Sequence, residues 1–341
     1  MSFIRRSVHI ASKQIAYLVI ILLVLLITSL GVIYWLSDAV EQRQDEIATW
    51  ASEQIGYPVE IGAAGIHWLG LLPKVQLESV KIFDKNLKRD ILSLDDLYVG
   101  LDIVASLTQG EPVLNDVTLT GLSLSLERNE SGIIQVKGFN LASSSNDQDW
   151  LGWVKILNRF HLQSININYD DQLSTELSGT YHITNAVVSH QSDLWTSTGN
   201  IRLPASLGQQ LQFQVQANIE DSSWQWQLKT KNLNLGHLAQ HYAWQDIVVE
   251  QGLADINLSG TGQGSTVDSV TAELQLSKSK IMPQKGDGIA EPVIIDHLMG
   301  TFDWQRQSNS WQLAGRNIQL YMNDDEWPET GFTINKNEDG T

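Results

Sequence analysis

Residues 211–219 read Leu-Gln-Phe-Gln-Val-Gln-Ala-Asn-Ile, and the alternation is complete. Leu211, Phe213, Val215, Ala217 and Ile219 fall on one side of an extended chain, and Gln212, Gln214, Gln216 and Asn218 on the other. Because side chains in a strand point alternately to opposite faces, this is a β-strand with one dry and one wet face. A polar loop, Glu220 to Ser223, separates it from Trp224, Trp226 and Leu228, which alternate again. A loop of that length joins antiparallel neighbours, so the two runs form a hairpin.

The same period recurs on both sides. Upstream lie Val75 and Leu77, Val80 and Ile82, then Leu97, Val99, Leu101 and Ile103; downstream lie Leu274 and Leu276. Phe302 and Trp304 face Trp311 and Leu313 across a polar turn from Arg306 to Ser310. Between Val117, Leu119 and Leu122, Leu124, Leu126 the parity reverses at Gly121, which one inserted residue at a β-bulge explains. Helical spacing is confined to 38–56, 148–161 and 236–244. In 38–56, Ser37 or Asp38 is the N-cap, Gly56 the stop, and Val40, Ile47, Trp50, Ala51 and Gln54 share a face. In 148–161 the face is Trp150, Leu151, Val154, Leu157 and His161.

About fifteen strands against three short helices make a mainly β protein with a covering problem, since so few helices cannot shield so much apolar face. Packed sandwiches, a closed barrel, or bound acyl chains each solve it. Alternation by itself most often marks core and favours sandwiches, yet no repeat of about 100 residues, as tandem sandwiches show, is present.

The N-terminus reads as a membrane anchor. Ile15 to Leu36 is uncharged and, at ~1.5 Å per residue, spans about 33 Å as a helix. Arg5, Arg6 and Lys13 precede it; Tyr34 and Trp35 sit at its far end, and Asp38, Glu41, Asp45 and Glu46 follow. The basic side stays cytoplasmic, so residues 1–14 are a cytoplasmic segment, 15–36 a single span, and the rest is exported. A cleaved signal peptide is the rival, with Ser37 and Ala39 as small residues before a cut, but its apolar stretch is shorter.

The 341 residues carry 22 basic and 39 acidic side chains, a net charge of −17. The first 37 residues hold three of the basic ones and no acidic one, leaving 19 against 39 for the remainder. That balance argues against nucleic acid as a partner. With no cysteine, disulfides, zinc-thiolate sites and thiol nucleophiles are excluded. Gly260 to Ser265, Gly-Thr-Gly-Gln-Gly-Ser, lies between strands and reads as a hairpin loop, because a phosphate-cradling loop needs a following helix. His237 and His241 have a metal-binding spacing without a third ligand, so no metal site is assigned. The pairs Asp95-Asp96, Asp170-Asp171 and Asp324-Asp325 read as solvated turns. Trp224, Trp226, Trp304 and Trp311 fall on the apolar parity.

A helix ending in Gly56-Tyr57-Pro58-Val59-Glu60, then Trp68 and the run Pro73 to Asp84, resembles the opening module of AsmA-like proteins of the YhdP family. Leu97 to Leu107, Leu114 to Leu126, Trp153 to Tyr169 and Trp327-Pro328 continue the likeness over nearly the whole chain. The resemblance implies an inner-membrane protein whose periplasmic part is a long antiparallel sheet curled into an open β-groove. Its apolar lining carries phospholipid acyl chains toward the outer membrane and supports the permeability barrier. It implies neither catalysis nor a cofactor. On this reading residues 57–142 form a first groove module and 143–341 continue it. Leu211, Phe213, Val215, Ile219, Trp224, Trp226, Leu228, Leu274 and Leu276 line the groove. Partners are acyl chains, the inner membrane, and further groove segments or proteins on the outer-membrane side. Family members are several times longer, so the chain is expected to be the N-terminal portion of a longer protein. A tethered ectodomain of closed sandwiches binding protein partners is the alternative.

Overall fold

The computed structural model describes residues 43–69, 72–84, 89–102, 105, 108, 113–137, 159–239, 247–283, 291–307, 310–323 and 325–337. The predicted cytoplasmic segment and membrane span lie outside these residues. So do most of helix 148–161, His241 and Asp324. No helix among the described residues is long and apolar enough to cross a membrane.

The chain opens with helix α1 (Gln44–Ile55), followed by β1 (Val59–Glu60), β2 (Ala63–Leu69), β3 (Leu72–Phe83), β4 (Asp90–Leu101), β5 (Leu114–Thr120), β6 (Ser123–Arg128) and β7 (Ile134–Val136). Then come β8 (Arg159–Asp171), a 3-10 turn (Thr175–Leu177), β9 (Gly179–Gln191), β10 (Leu194–Arg202), β11 (Gln210–Asn218) and β12 (Ser223–Asn234). The short helix α2 (Leu235–Ala239) leads to β13 (Ile247–Gln263), β14 (Thr266–Pro283), β15 (Val293–Gln307), β16 (Ser310–Met322) and β17 (Asp325–Asn337). All 17 strands belong to one sheet.

From β8 onward every strand pairs antiparallel with the next, as short hairpin connections dictate. At the other end β1 and β2 both pair with β3, and β3 with β4. The expected uniform antiparallel order fails at one place: β5 and β6 both pair parallel with β8. Parallel neighbours need a crossover of a dozen or more residues, and the stretch between β7 and β8 supplies it. These pairings carry the sheet across the boundary between 142 and 143 without a break.

Helix α1 ends where Gly56 adopts φ 74°, as the glycine stop required. Its buried face includes Ile47, as expected, but not Trp50. Ile47 and Ala48 pack on the cluster of Ile61, Val80 and Leu94, while Trp50 is 60% exposed. Helix and sheet are tied by the Gln44 amide, which donates to the Ile61 carbonyl at 2.5 Å, and by Ser52 Oγ, which accepts the Val59 amide at 2.9 Å. Arg159, Phe160 and His161, expected to finish a helix, begin β8 instead: their pairing to β5 and β9 outweighs a local 3.6-residue pattern. Of the 236–244 helix only Leu235–Ala239 is helical among the described residues.

Only eleven apolar side chains among the described residues are buried, and seven of them lie between Tyr57 and Leu94. A conventional core therefore exists at the first few strands, partly under α1, and not along the rest of the sheet.

The parity reversal at Gly121 is one of a series. Ser79, Gly121, Ser164, Asn232, Lys278 and Asn317 all have φ between 49° and 69°. They fall in β3, between β5 and β6, and in β8, β12, β14 and β16. Apolar alternation changes parity at each, as from Val75 and Leu77 to Val80 and Ile82, or from Leu274 and Leu276 to Ile281. One left-handed residue turns the following side chains over, so the same face stays apolar on both sides of it while the strand bends.

Candidate functional site: an uncovered apolar face

Strand register converts the alternation into continuous rows. Ile66, Val75, Val99, Val117, Phe160, Val188, Ser197, Val215, Trp226, Gly260, Val270, Trp304, Leu313 and Ile334 are successive partners from β2 to β17. At ~4.8 Å between strands this row runs about 60 Å. A second row two residues away runs beside it, from Ala64, Leu77 and Leu97 through Phe213, Leu228, Leu258 and Phe302 to Phe332. Two rows about 7 Å apart already make a projected apolar strip of ~400 Å², comparable to the largest patch on an ordinary monomer.

Among the described residues nothing covers most of this face. Each strand packs against its ladder neighbours, and among the described residues the only elements lying on the sheet are α1, α2 and the 3-10 turn. Val215 is 38% exposed, Phe332 40% and Ile334 48%. The packed sandwich, which alternation alone favoured, is therefore not what these residues form.

The predicted lining residues fall where parity put them. Leu211, Phe213 and Val215 pair with Thr230, Leu228 and Trp226, and Trp224 pairs with Ala217, all on the apolar side. Leu274 and Leu276 lie opposite Ile256 and Ala254 on the same side. Ile219 lies just past the end of β11, 57% exposed, with its amide bound to the Asp193 carbonyl at 2.9 Å. Trp304 and Trp311 share the face, since Trp304 pairs with Leu313. Arg5, Arg6, Lys13, Ile15, Tyr34, Trp35 and Leu36 lie outside the described residues.

The arrangement of the aromatic rings was not legible in the sequence. The rings lie down across glycines of the adjacent strand. A Cβ built on Gly199 would meet Phe213 Cε1 at 2.5 Å, one on Gly262 would meet Trp224 Cζ2 at 2.2 Å, and one on Gly315 would meet Phe332 Cε1 at 2.5 Å. The Trp226 indole lies over Gly260 in the same way, with Nε1 2.8 Å from where that Cβ would be. This explains why Gly260 and Gly262, read as part of a loop, are inside β13, with only Gly264 and Ser265 forming the turn. The Trp224 N–H, donated to the Gly264 carbonyl at 3.0 Å, fixes that ring in place. Rings that lie flat give a low, smooth floor; upright rings would divide it. The signal available in the sequence was glycine recurring at strand parity opposite an aromatic.

The opposite face is polar and internally bonded. Gln227 donates to Asn257 at 3.1 Å and Asn257 to Glu273 at 2.8 Å; Thr271 donates to Asp303 at 2.9 Å, and Arg316 pairs with Asp303. Cross-strand pairs of this kind contribute roughly 0.2–1 kcal/mol each, so this face holds itself in register without a covering layer.

Two of the acidic pairs depart from the reading as solvated turns. Asp95 and Asp96 lie within β4, where Asp96 accepts from Gln76 at 2.8 Å. Asp171 is 0% exposed: Oδ1 accepts the Leu173 and Ser174 amides at 2.9 Å each, and Oδ2 accepts from Tyr169 at 2.9 Å and Arg128 at 3.2 Å. Burial pushes its pKa up, but the hydrogen bonds from Ser174, Tyr169, Leu173 and Arg128 outweigh this and hold it below the usual carboxylate value. Beside it Tyr181 donates to the Leu177 carbonyl at 2.7 Å, and burial first, then Tyr169 and Asp171, push its pKa up to about 12. His237 Nε2 lies 2.9 Å from the Glu176 carbonyl, so its ring ties α2 to the 3-10 turn.

These elements define a mainly β protein built on one long, mostly antiparallel sheet of 17 strands, with one bonded polar face and one apolar face that the described residues leave largely uncovered. The chain belongs to the YhdP family: the model described as YhdP protein matches residues 1–340. None of the curated proteins compared with it matches, and no solved structure does. Family membership and the large sheet together fit an AsmA-like, lipid-transport class of protein.

Proposed function

We propose that this chain holds phospholipid by its acyl chains on the apolar face and passes it along the sheet, from the inner membrane toward the outer membrane. The supporting observation is the pair of rows, apolar except at Ser197, that cross from β2 to β17 and, beyond the first strands under α1, have little of the described protein over them. Fully burying a CH₂ contributes ~0.8 kcal/mol. A sixteen-carbon tail touching the floor on one side gains about half of that per group, or roughly 6 kcal/mol. Sliding a tail from one strand to the next exchanges like contacts and breaks no hydrogen bond, so retention and movement are compatible. Headgroups remain in water, and no side chain need recognise them.

The rows start at β2, close in sequence to α1 and to the uncharged stretch 15–36 that precedes it. On this reading residues 15–36 are the inner-membrane anchor, residues 1–14 are cytoplasmic and the sheet is periplasmic, which would place the first strands where lipid leaves the bilayer. The test is a photocrosslinking amino acid placed in the full chain in cells, at Phe213 and, as control, at Gln212. Phospholipid capture is expected at Phe213 alone. Equal capture at the two positions would remove the groove assignment.

A further inference from the structure

The polar face carries a second feature, set apart from the acyl-chain reading and independent of it. A hollow of about 1130 Å³ lies over β2–β5 and β8–β10. In a chain of net charge −17, its lining includes Lys74, Arg159, His67, His161 and His190 and a single carboxylate, Asp116. Two of the chain's 8 histidines, His67 and His161, present their rings to this face.

Register explains the meeting. His67 pairs with Lys74, Lys74 with Gly100, Gly100 with Asp116, and Asp116 with Arg159, so four charged or imidazole groups share one row on the face opposite Val75 and Val99. Gly100 has no side chain, and the Asp116 carboxylate lies across it to reach Lys74 Nζ at 2.5 Å. That bond uses one of the three ammonium donors and holds the side chain, which is only 15% exposed. Arg159 has no carboxylate partner among the described residues. His161 sits in the next row; His190 borders the hollow at the end of β9, but it shares the parity of Val188 and stacks on its partner Trp195 with ring centroids 4.8 Å apart, so its ring belongs to the other face.

The geometry points to this hollow as a binding site for a phosphate-class oxyanion, free or as the head of a larger molecule, held between the Arg159 guanidinium and the Lys74 ammonium. A guanidinium fork and an ammonium with unused donors match tetrahedral oxyanions, and imidazoles supply further donors once protonated. Burial first, then Arg159, lowers the His161 pKa, while Asp116 raises it and Lys74 lowers it. Tyr98, His67 and His190 are the other titratable groups in the lining. An anion bound among them favours protonated imidazole, so binding takes up a proton and tightens as pH falls.

The test uses the full chain in detergent and two soluble probes, inorganic phosphate and sulfate. Sulfate keeps the same charge between pH 6 and 8, so its pH dependence reports on the protein alone. Saturable binding is expected, weakened about tenfold or more by Arg159→Gln and less by His161→Gln, with sulfate binding several-fold tighter at pH 6 than at pH 8. A parallel arm floats phosphatidylcholine vesicles with and without phosphatidic acid against wild type and Arg159→Gln. Loss of the vesicle response alone in the variant assigns the site to a lipid headgroup; loss of phosphate binding alone assigns it to a soluble phosphate. No effect of Arg159→Gln in either arm, or pH-independent sulfate binding, overturns the proposal. Phe213 variants leave it unaffected, so its failure is separable from that of the acyl-chain reading.

Discussion

Replacing Gly199 by alanine isolates the flat packing of the rings on the sheet. The residue is in regular β conformation, so alanine meets no backbone strain there. What it meets is the Phe213 ring, 2.5 Å and 2.6 Å from the new Cβ at Cε1 and Cζ, and the Ala186 methyl at 3.1 Å. The ring must lift off β10. Forcing a packed side chain aside costs ~1–3 kcal/mol. Set against this, alanine in place of glycine restricts the unfolded chain and stabilises by about 0.4–1 kcal/mol. The net expectation is a loss of roughly 0.5–2 kcal/mol in Gly199→Ala, and a change smaller by about 1–3 kcal/mol in a Phe213→Ala background, where only the Ala186 methyl still meets the new Cβ. The coupling between the two sites is thus of order 1–3 kcal/mol. A sheet whose strands touch only their neighbours need not unfold as one unit, so the readout is hydrogen exchange of the β10 and β11 amides. Equal destabilisation with and without the Phe213 ring would refute the argument.

Three further outcomes follow from the geometry. Asp171→Asn removes the charge that holds four hydrogen bonds, while Arg128, a third exposed, stays solvated; it should cost roughly 1–3 kcal/mol locally, read as faster exchange in β8 and β9. Because the folded pKa of Asp171 lies below the unfolded value of 3.8, its contribution is present above that value and lost as pH falls through the folded pKa. Acid titration of the wild type should therefore open this region, and an Asp171→Asn protein that keeps the same acid transition contradicts the assignment. Tyr181 has the opposite sign: its pKa is raised from 10.0 to about 12, so the stability it contributes is intact below pH 10 and lost between pH 10 and 12. Tyr181→Phe should flatten the alkaline transition followed by far-UV circular dichroism. At Lys278, φ 51° tolerates glycine and penalises branched side chains, so Lys278→Val should destabilise β14 by about 1–2 kcal/mol while Lys278→Gly is neutral or better, measured by exchange of the flanking amides.

How far the chain was legible differs from element to element. Leu211 to Ile219 and Trp224 to Leu228 could be read directly, because a period of two is a property of one strand and needs no knowledge of its neighbours. The Gly121 bulge was visible because glycine marked it. The equivalent reversals at Ser79, Ser164, Asn232, Lys278 and Asn317 give the same parity signal without a glycine to mark them. Arg159 to His161 satisfied a helical spacing locally and became strand through pairing partners more than twenty residues away. Asp171 looked like any turn carboxylate, since its burial depends on Arg128 and on the loop folding back over it.

By itself the sequence determined that the chain beyond residue 56 is built from strands with one oily and one wet face, since alternation is written into consecutive residues. It could not decide whether that oily face is shared with another sheet, because covering is a relation between segments far apart in the chain. Register decided that: it lined the apolar positions of fourteen strands into rows broken only at Ser197, laid aromatic rings across glycines, gathered Lys74, Asp116, Arg159 and His161 on the other face, and left most of the oily one without a second layer among the described residues.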